Sequence, residues 1–323
     1  MQGVDGISND KAAKMGRWIM EIMALFRALP GSVAQGLIWG IMAVGVYIAY
    51  RVLDFADLTV DGSLCTGGAV AVMMMLAGYD PYIALIGAVA AGMIAGLVTG
   101  LFHVAFGIPG ILAGILTQLG LYSVNMRIMG KSNLAISVDK YDLILSLREI
   151  PHAILISSIF CVVVVVVLYW FFGTELGRAI RATGNNEMMA RAQGINTGVM
   201  KVVGLMIANG LVGLAGALYA QYQGNADVNM GRGAIVIGLA AVIIGNVLFG
   251  RIFKSFAARL FGVIIGAILY FSVIATVLWL GLETTDMKLI SALIVAIFLA
   301  VPNLRVKFLP SGKGKGEKAN ANA

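Results

Sequence analysis

Asp54, Asp57 and Asp61 crowd a break between two long apolar runs of this chain, in the segment Arg51-Val-Leu-Asp-Phe-Ala-Asp-Leu-Thr-Val-Asp-Gly-Ser-Leu-Cys-Thr-Gly-Gly. Carboxylates in such a place could attract an ammonium group. They are not the acids of a proton- or ion-coupled pump, which usually lie within the spans themselves. Asp and Gly at this density interrupt a helix, and irregular backbone at membrane depth is tolerated only where protein or a water-filled cavity covers it. The segment, Gly62 included, is therefore either a pathway or gate element or a solvated turn at the membrane edge, and Asp61 or Ser63 could cap a helix beginning near residue 64. Gln118, Asn125, Asn209 and Asn246 sit inside apolar runs, where they could bond neighbouring helices or touch a solute in a partly polar interior.

Other chemistries lack their residues. His103 and His152 fall in different segments with no Cys or carboxylate at metal-ligand spacing, so no metal site is expected. Cys65 and Cys161 lie in apolar surroundings and read as small buried hydrophobes. No nucleophile–base order and no paired carboxylates mark a catalytic centre, so an embedded enzyme is disfavoured and no catalytic residue is assigned. The phosphate-cradling pattern Gly-x-x-x-x-Gly-Lys-Ser/Thr is missing, and Gly312–Lys318 resembles it only in composition. The chain is expected to bind no nucleotide or other cofactor itself.

The longest polar stretch between apolar runs is residues 174–199, Thr-Glu-Leu-Gly-Arg-Ala-Ile-Arg-Ala-Thr-Gly-Asn-Asn-Glu-Met-Met-Ala-Arg-Ala-Gln-Gly-Ile-Asn-Thr-Gly-Val. Asn185 or Asn186 can cap a short helix whose first turn holds Glu187, favourable at the positive end of the helix dipole. Met188, Met189, Ala190 and Ala192 follow, and Gly194 can end the helix in a left-handed conformation. About two turns are marginal in water, so the helix must pack on something: its own spans, or a water-soluble partner met through adaptable methionines.

These groups must be positioned by helices in lipid. The chain has 323 residues, 60% hydrophobic and only 12% charged, with mean hydropathy +0.92. Its apolar runs match the roughly 17–25 residues needed to cross a bilayer core, and their continuity excludes a membrane barrel. The fold class is an all-α, polytopic integral membrane protein with about 9–10 membrane helices, some broken or short. Spans are expected at 33–53, 63–78, 81–104, 109–130, 151–173, 200–222, 234–250, 256–281 and 288–302. Small residues at four-residue spacing (Ala84, Ala88, Gly92, Gly96, Gly100), with Gly36, Gly40, Gly210, Gly213 and Gly216, predict close helix packing or, alternatively, a dimer or moving surface.

Lys and Arg orient the bundle. The 174–201 and 251–259 connections and the tail after residue 302 are basic and can all lie on the cytoplasmic side, leaving the charge-balanced linker 131–150 outside. The net charge of +7 is explained by this positive-inside excess and implies no nucleic acid. Parity places residue 33 outside and the Asp54–Asp61 turn inside. Segment 15–31 is then either a tenth crossing or, as its amphipathic pattern favours, an interfacial helix. The chain thus divides into an N-terminal extension (1–32), a membrane domain (33–302) and a basic tail (303–323).

The Gly177–Thr197 stretch, the Leu53-Asp-Phe-Ala-Asp-Leu-Thr-Val-Asp-Gly-Ser63 break and Gly213-Leu-Ala-Gly-Ala-Leu218 together resemble ABC importer permeases of the branched-chain amino-acid and ribose type. The likeness covers about residues 33–302 and is strongest to the branch of tryptophan and tyrosine transport permeases. The resemblance implies a permease of the bacterial inner membrane that pairs with a second permease subunit, identical in a homodimer. A cytoplasmic ATPase, which holds the ATP and Mg, and an extracytoplasmic solute-binding protein complete such a system. By match to the family's loop, Arg178, Arg181, Gly184, Glu187, Ala190, Arg191, Gly194 and Ile195 would meet the ATPase, with Asn185, Asn186, Met188 and Met189 among them. The expected function is inward movement of an amino acid, aromatic by branch likeness, or a similar small polar solute by alternating access. The alternative is a stand-alone secondary transporter or channel.

Overall fold

The computed structural model describes residues 28–137, 141, 143–250, 252, 255–280, 289–293 and 295–297. The N-terminal extension up to residue 27, the tail, and residues 288, 294 and 298–302 of the last expected span lie outside the described residues.

Helices dominate. They are α1 (Ala28–Val52), α2 (Val60–Leu76), α3 (Pro81–Val104), α4 (Gly110–Met129), α5 (Ile150–Gly173), α6 (Glu175–Asn185), α7 (Glu187–Ala192), α8 (Thr197–Gln223), α9 (Ala234–Phe249) and α10 (Phe256–Trp279). Of these, α1, α3, α5, α8 and α10 are long and apolar enough to cross a membrane, and α2 and α9 are shorter apolar helices. The chain is a polytopic all-α membrane protein.

Local signals set the ends. Asp80 accepts the Tyr82 amide ahead of Pro81 to start α3, and Asn196 and Ser255 cap α8 and α10 in the same way. Gly130 and Gly224 close α4 and α8 in left-handed conformations that suit a residue without Cβ. The last turn of α1, Ile48–Val52, widens into a π-helix just before the break.

The centre of the bundle is α8, whose small residues admit other backbones to contact. A Cβ on Gly92 or Gly96 of α3 would strike the carbonyls of Asn209 or Leu205, and one on Gly213 would meet the Ala88 carbonyl oxygen at 2.5 Å. On its other side, Gly216 faces the Leu64 carbonyl of α2. The α3–α8 contact is extensive. The small-residue stripe is thus a seam within one subunit. Gly36 and Gly40 let α10 approach α1 in the same fashion, near Ile268 and Ile264.

A short antiparallel ribbon, β1 (Asn133–Ala135) with β2 (Asn225–Asp227), ties the 131–150 linker to the turn after α8, with Leu134 opposite Ala226. At the other end of the bundle, α6 lies beside the start of α10, where Arg181 stands 5.3 Å over the Phe256 ring, and α7 packs on α6 and α8. The ribbon and the polar island therefore mark opposite faces, as the charge pattern requires. The basic residues Arg251 and Lys254 lie outside the described residues.

Candidate functional site

The three acids of the break do not act together. Asp54 adopts a left-handed backbone (φ 54°) and lines a cavity of about 660 Å³ on the island face, together with Arg51, Arg178, Arg181 and Arg259. Asp57 is buried in the bundle. Its Oδ1 accepts the Thr59 amide at 2.9 Å and its Oδ2 accepts Asn209 Nδ2 at 2.6 Å. Asn209 Oδ1 in turn accepts the Ser63 hydroxyl at 2.6 Å. A ladder of hydroxyls, Thr59, Thr99 and Thr117, continues across α3 and α4 at 2.6 and 3.0 Å. Asp57 and Asn209 are thus sealed off, and they fasten the broken chain to α8 rather than line a pathway.

Asp61 corrects the expected capping. Helix α2 begins at Val60, its N-terminal residue Thr59 makes no side-chain cap, and Ser63 is occupied by Asn209. The Asp61 carboxylate instead reaches the start of α9, accepting the amides of Gly233 (3.0 Å) and Ile235 (2.9 Å). A carboxylate at a helix N-terminus satisfies orphan amides and meets the positive end of the dipole. Here it comes from another helix, across 172 residues, which a search for local caps misses.

Asp61 also faces a cavity of about 480 Å³ between α2, α4 and the turn before α9. Gly62, Gln118 and Asn125, all singled out as polar or special residues in apolar runs, line it too. Tyr122 and Arg232, which sequence reasoning missed, complete its wall. Gly62 lets α4 come close, since a Cβ there would lie 3.0 Å from Leu121 Cδ1. Asn246 lies elsewhere, in a small cavity of about 150 Å³ near Arg51 and Arg259.

The polar island forms two helices, not one. Thr174 caps α6 by accepting the Gly177 amide at 3.3 Å. Asn185 ends α6 and Asn186 is the residue that caps α7, accepting the Met189 amide at 3.0 Å. Gly194 follows in the left-handed region at φ 80°. On α6, Arg178 and Arg181 face the basic cavity, and Gly184 packs directly on the Val52 carbonyl at the π-turn of α1.

Helix α7 has too few turns to stand alone, and an ion-pair hub holds it. Glu187 accepts Arg191 Nη2 at 2.6 Å and Lys201 Nζ of α8 at 2.8 Å, with the Thr197 hydroxyl at 3.2 Å. Ala190 is 3% exposed and Ile195 half-buried, so they seat α7 on the bundle and are not outward contacts. Met188 and Met189 face outward, 76% and 62% exposed.

The hydrogen bond from Lys201, helped by its charge and by Arg191 and Thr197, holds the Glu187 carboxyl below its ordinary 4.5 against a partial desolvation. A depressed carboxylate adds stability at pH above that value and loses it as pH falls through the folded-state pKa. Hydrogen exchange of the α7 amides, corrected for intrinsic rates, is expected to be level from about pH 8 to about pH 5 and to rise in more acid solution. Glu187→Gln should raise exchange at neutral pH and flatten that acid step.

Sequence comparison decides the family. A family profile described as branched-chain amino acid transport system, permease component, matches residues 29–302. The chain belongs to this permease family. The permease is 41% identical over 272 residues to the tyrosine transport system permease protein of Clostridioides difficile (strain R20291), covering 84% of this chain and 90% of that one. It is 25% identical to the ribose import permease protein RbsC of Escherichia coli (strain K12), covering 81% of each chain. Among solved structures, PsaBC from Streptococcus pneumoniae in complex with Fab shares the fold with a TM-score of 0.52 at 16% identity, over 88% of this permease and 99% of that chain. The permease is a transport subunit and not an enzyme.

Proposed function

We propose that the permease is the membrane subunit of an ATP-driven importer in the bacterial inner membrane, moving an amino acid with an aromatic side chain. A cytoplasmic ATPase supplies the energy, an extracytoplasmic binding protein delivers the solute, and a second copy of the permease completes the pathway. The observation that carries this reading is the build of α7: a short helix clamped to α8 by Glu187, offering two adjacent methionines to the outside. The tyrosine permease likeness supports the solute class.

The structure offers a path for force. A push on α7 and α6 passes through Gly184 to the π-turn of α1. From there it reaches Leu53, which packs on Gly204 of α8, and the Asp57 anchor. A partner that grips α6–α7 differently in its two nucleotide states would shift the bundle between inward- and outward-open forms, because only a difference in contact energy moves such an equilibrium.

The pair Met188→Glu and Met189→Glu tests this. Neither side chain is buried in the permease, so folding and detergent-solubilised yield should be unchanged. Charges pressed into an apolar contact cost several kcal/mol, and recovery of the ATPase with the tagged permease should fall at least about tenfold, with uptake lost in step. Full ATPase recovery, or uptake that persists without any ATPase on an ion gradient alone, refutes the reading and returns the solitary transporter.

A further inference from the structure

Two opposite charges face the cavity between α2, α4 and the turn before α9 without pairing. Asp61 and Arg232 both line it, yet no ion pair joins them, and the Arg232 guanidinium has no acid partner among the described residues. The Asp61 oxygens each hold one backbone amide and keep a further lone pair. A third group is also unsatisfied. Asn125 is 1% exposed and its Oδ1 has no hydrogen-bond partner, while its Nδ2 reaches only the Gly62 carbonyl at 3.5 Å. That oxygen is closed off from the cavity space, so Asn125 shapes the wall and the two charges are the groups a solute meets.

A sugar would not call for two separated charges, and a simple cation or anion would satisfy only one of them. A zwitterion answers both. The volume of about 480 Å³ falls within the usual range of roughly 300–1,000 Å³ for small-molecule sites. Tyr122 contributes an aromatic face and Leu119 an apolar one to the same wall, where a ring would stack edge-on or offset.

We propose that this cavity is the solute site of the permease and binds an aromatic amino acid as its zwitterion. The α-ammonium lies on the Asp61 carboxylate, the α-carboxylate on Arg232, and the ring against Tyr122. The assignment rests on the importer reading above, and it adds the groups that choose the solute within the membrane. Arg232 is the residue that distinguishes an amino acid from an amine.

The test places a reporter on the rim. Leu119, which lines the cavity and is exposed, is changed to Cys, the native Cys65 and Cys161 being buried. Labelling by a membrane-impermeant thiol reagent is followed in the full-length permease in lipid nanodiscs. L-Tyrosine should slow labelling at least tenfold. Tyramine, which lacks the carboxylate, and 4-hydroxyphenylpropionate, which lacks the ammonium, should each slow it less than twofold at the same concentration. Arg232→Gln should abolish protection and Arg232→Lys should retain part of it, with labelling in the absence of solute unchanged.

Equal protection by tyramine overturns the proposal, as does tyrosine protection that survives Arg232→Gln. Uptake by cells that depend on this permease for tyrosine separates the two levels. Wild-type rates with Arg232→Gln overturn the site while leaving the importer standing, and no amino-acid uptake by the wild type overturns both.

Discussion

Gly96→Leu is expected to prevent folding of the bundle, whereas Gly120→Leu leaves it intact. Gly96 presses on the backbone of α8 at Leu205 and Met206, so even a Cβ would strike a carbonyl that cannot turn aside. Gly120 has no atom within 4 Å of the same added carbon. Overpacking a well-filled interior costs about 1–3 kcal/mol where side chains can adjust. At a backbone-to-backbone contact the cost is larger, because the two helices must separate and the seam from Gly92 to Gly100 loses its dispersion contacts together. Size-exclusion profiles of fluorescently tagged permease in detergent should show aggregate for the first variant and a single wild-type peak for the second. A monodisperse Gly96→Leu protein with wild-type thermal stability would disprove the seam.

Asn209→Leu is expected to be the most damaging polar substitution. It removes the donor to Asp57 Oδ2 and the acceptor of the Ser63 hydroxyl in one step, and leaves a buried carboxylate held by Thr59 alone. Breaking one side of a buried charged arrangement costs about 3–5 kcal/mol. The double variant Asp57→Leu with Asn209→Leu removes both ends and should recover much of the loss, since matched apolar replacement of a buried polar pair is often nearly neutral. A double-mutant cycle of thermal stability in detergent measures this, and the coupling should exceed about 1 kcal/mol for groups in direct contact. Strictly additive losses would mean that the 2.6 Å bond contributes nothing.

The sequence told some of this plainly and concealed the rest for physical reasons. Hydropathy located α3, α5, α8 and α10 almost to the residue because a bilayer demands length and continuity of each span. The stripe from Ala84 to Gly100 announced a close contact, and the pair Asn185 and Asn186, of which Asn186 is the cap, with Gly194 announced the ends of α7, because caps and small residues act over one or two turns. Helix α6 was hidden within a segment read only as polar, although Thr174 is a good N-cap. The fates of Asp57 and Asp61 could not be read locally: their partners Asn209, Gly233 and Ile235 lie more than 150 residues away. Gln118 and Asn125 stood out as polar residues in oil, but nothing in the one-dimensional pattern joined them to Arg232 across the turn before α9.

The clip that Asp61 places on α9 binds two apolar helices that are far apart in the chain. Any rearrangement that parts α2 from α9 must hand two amides and a carboxylate to water or to a new acceptor in the same instant. The pair should therefore travel as one lever, with opening of the bundle taking place along some other boundary. A solute ammonium that leans on the same carboxylate would then sense, and be sensed by, the orientation of that lever.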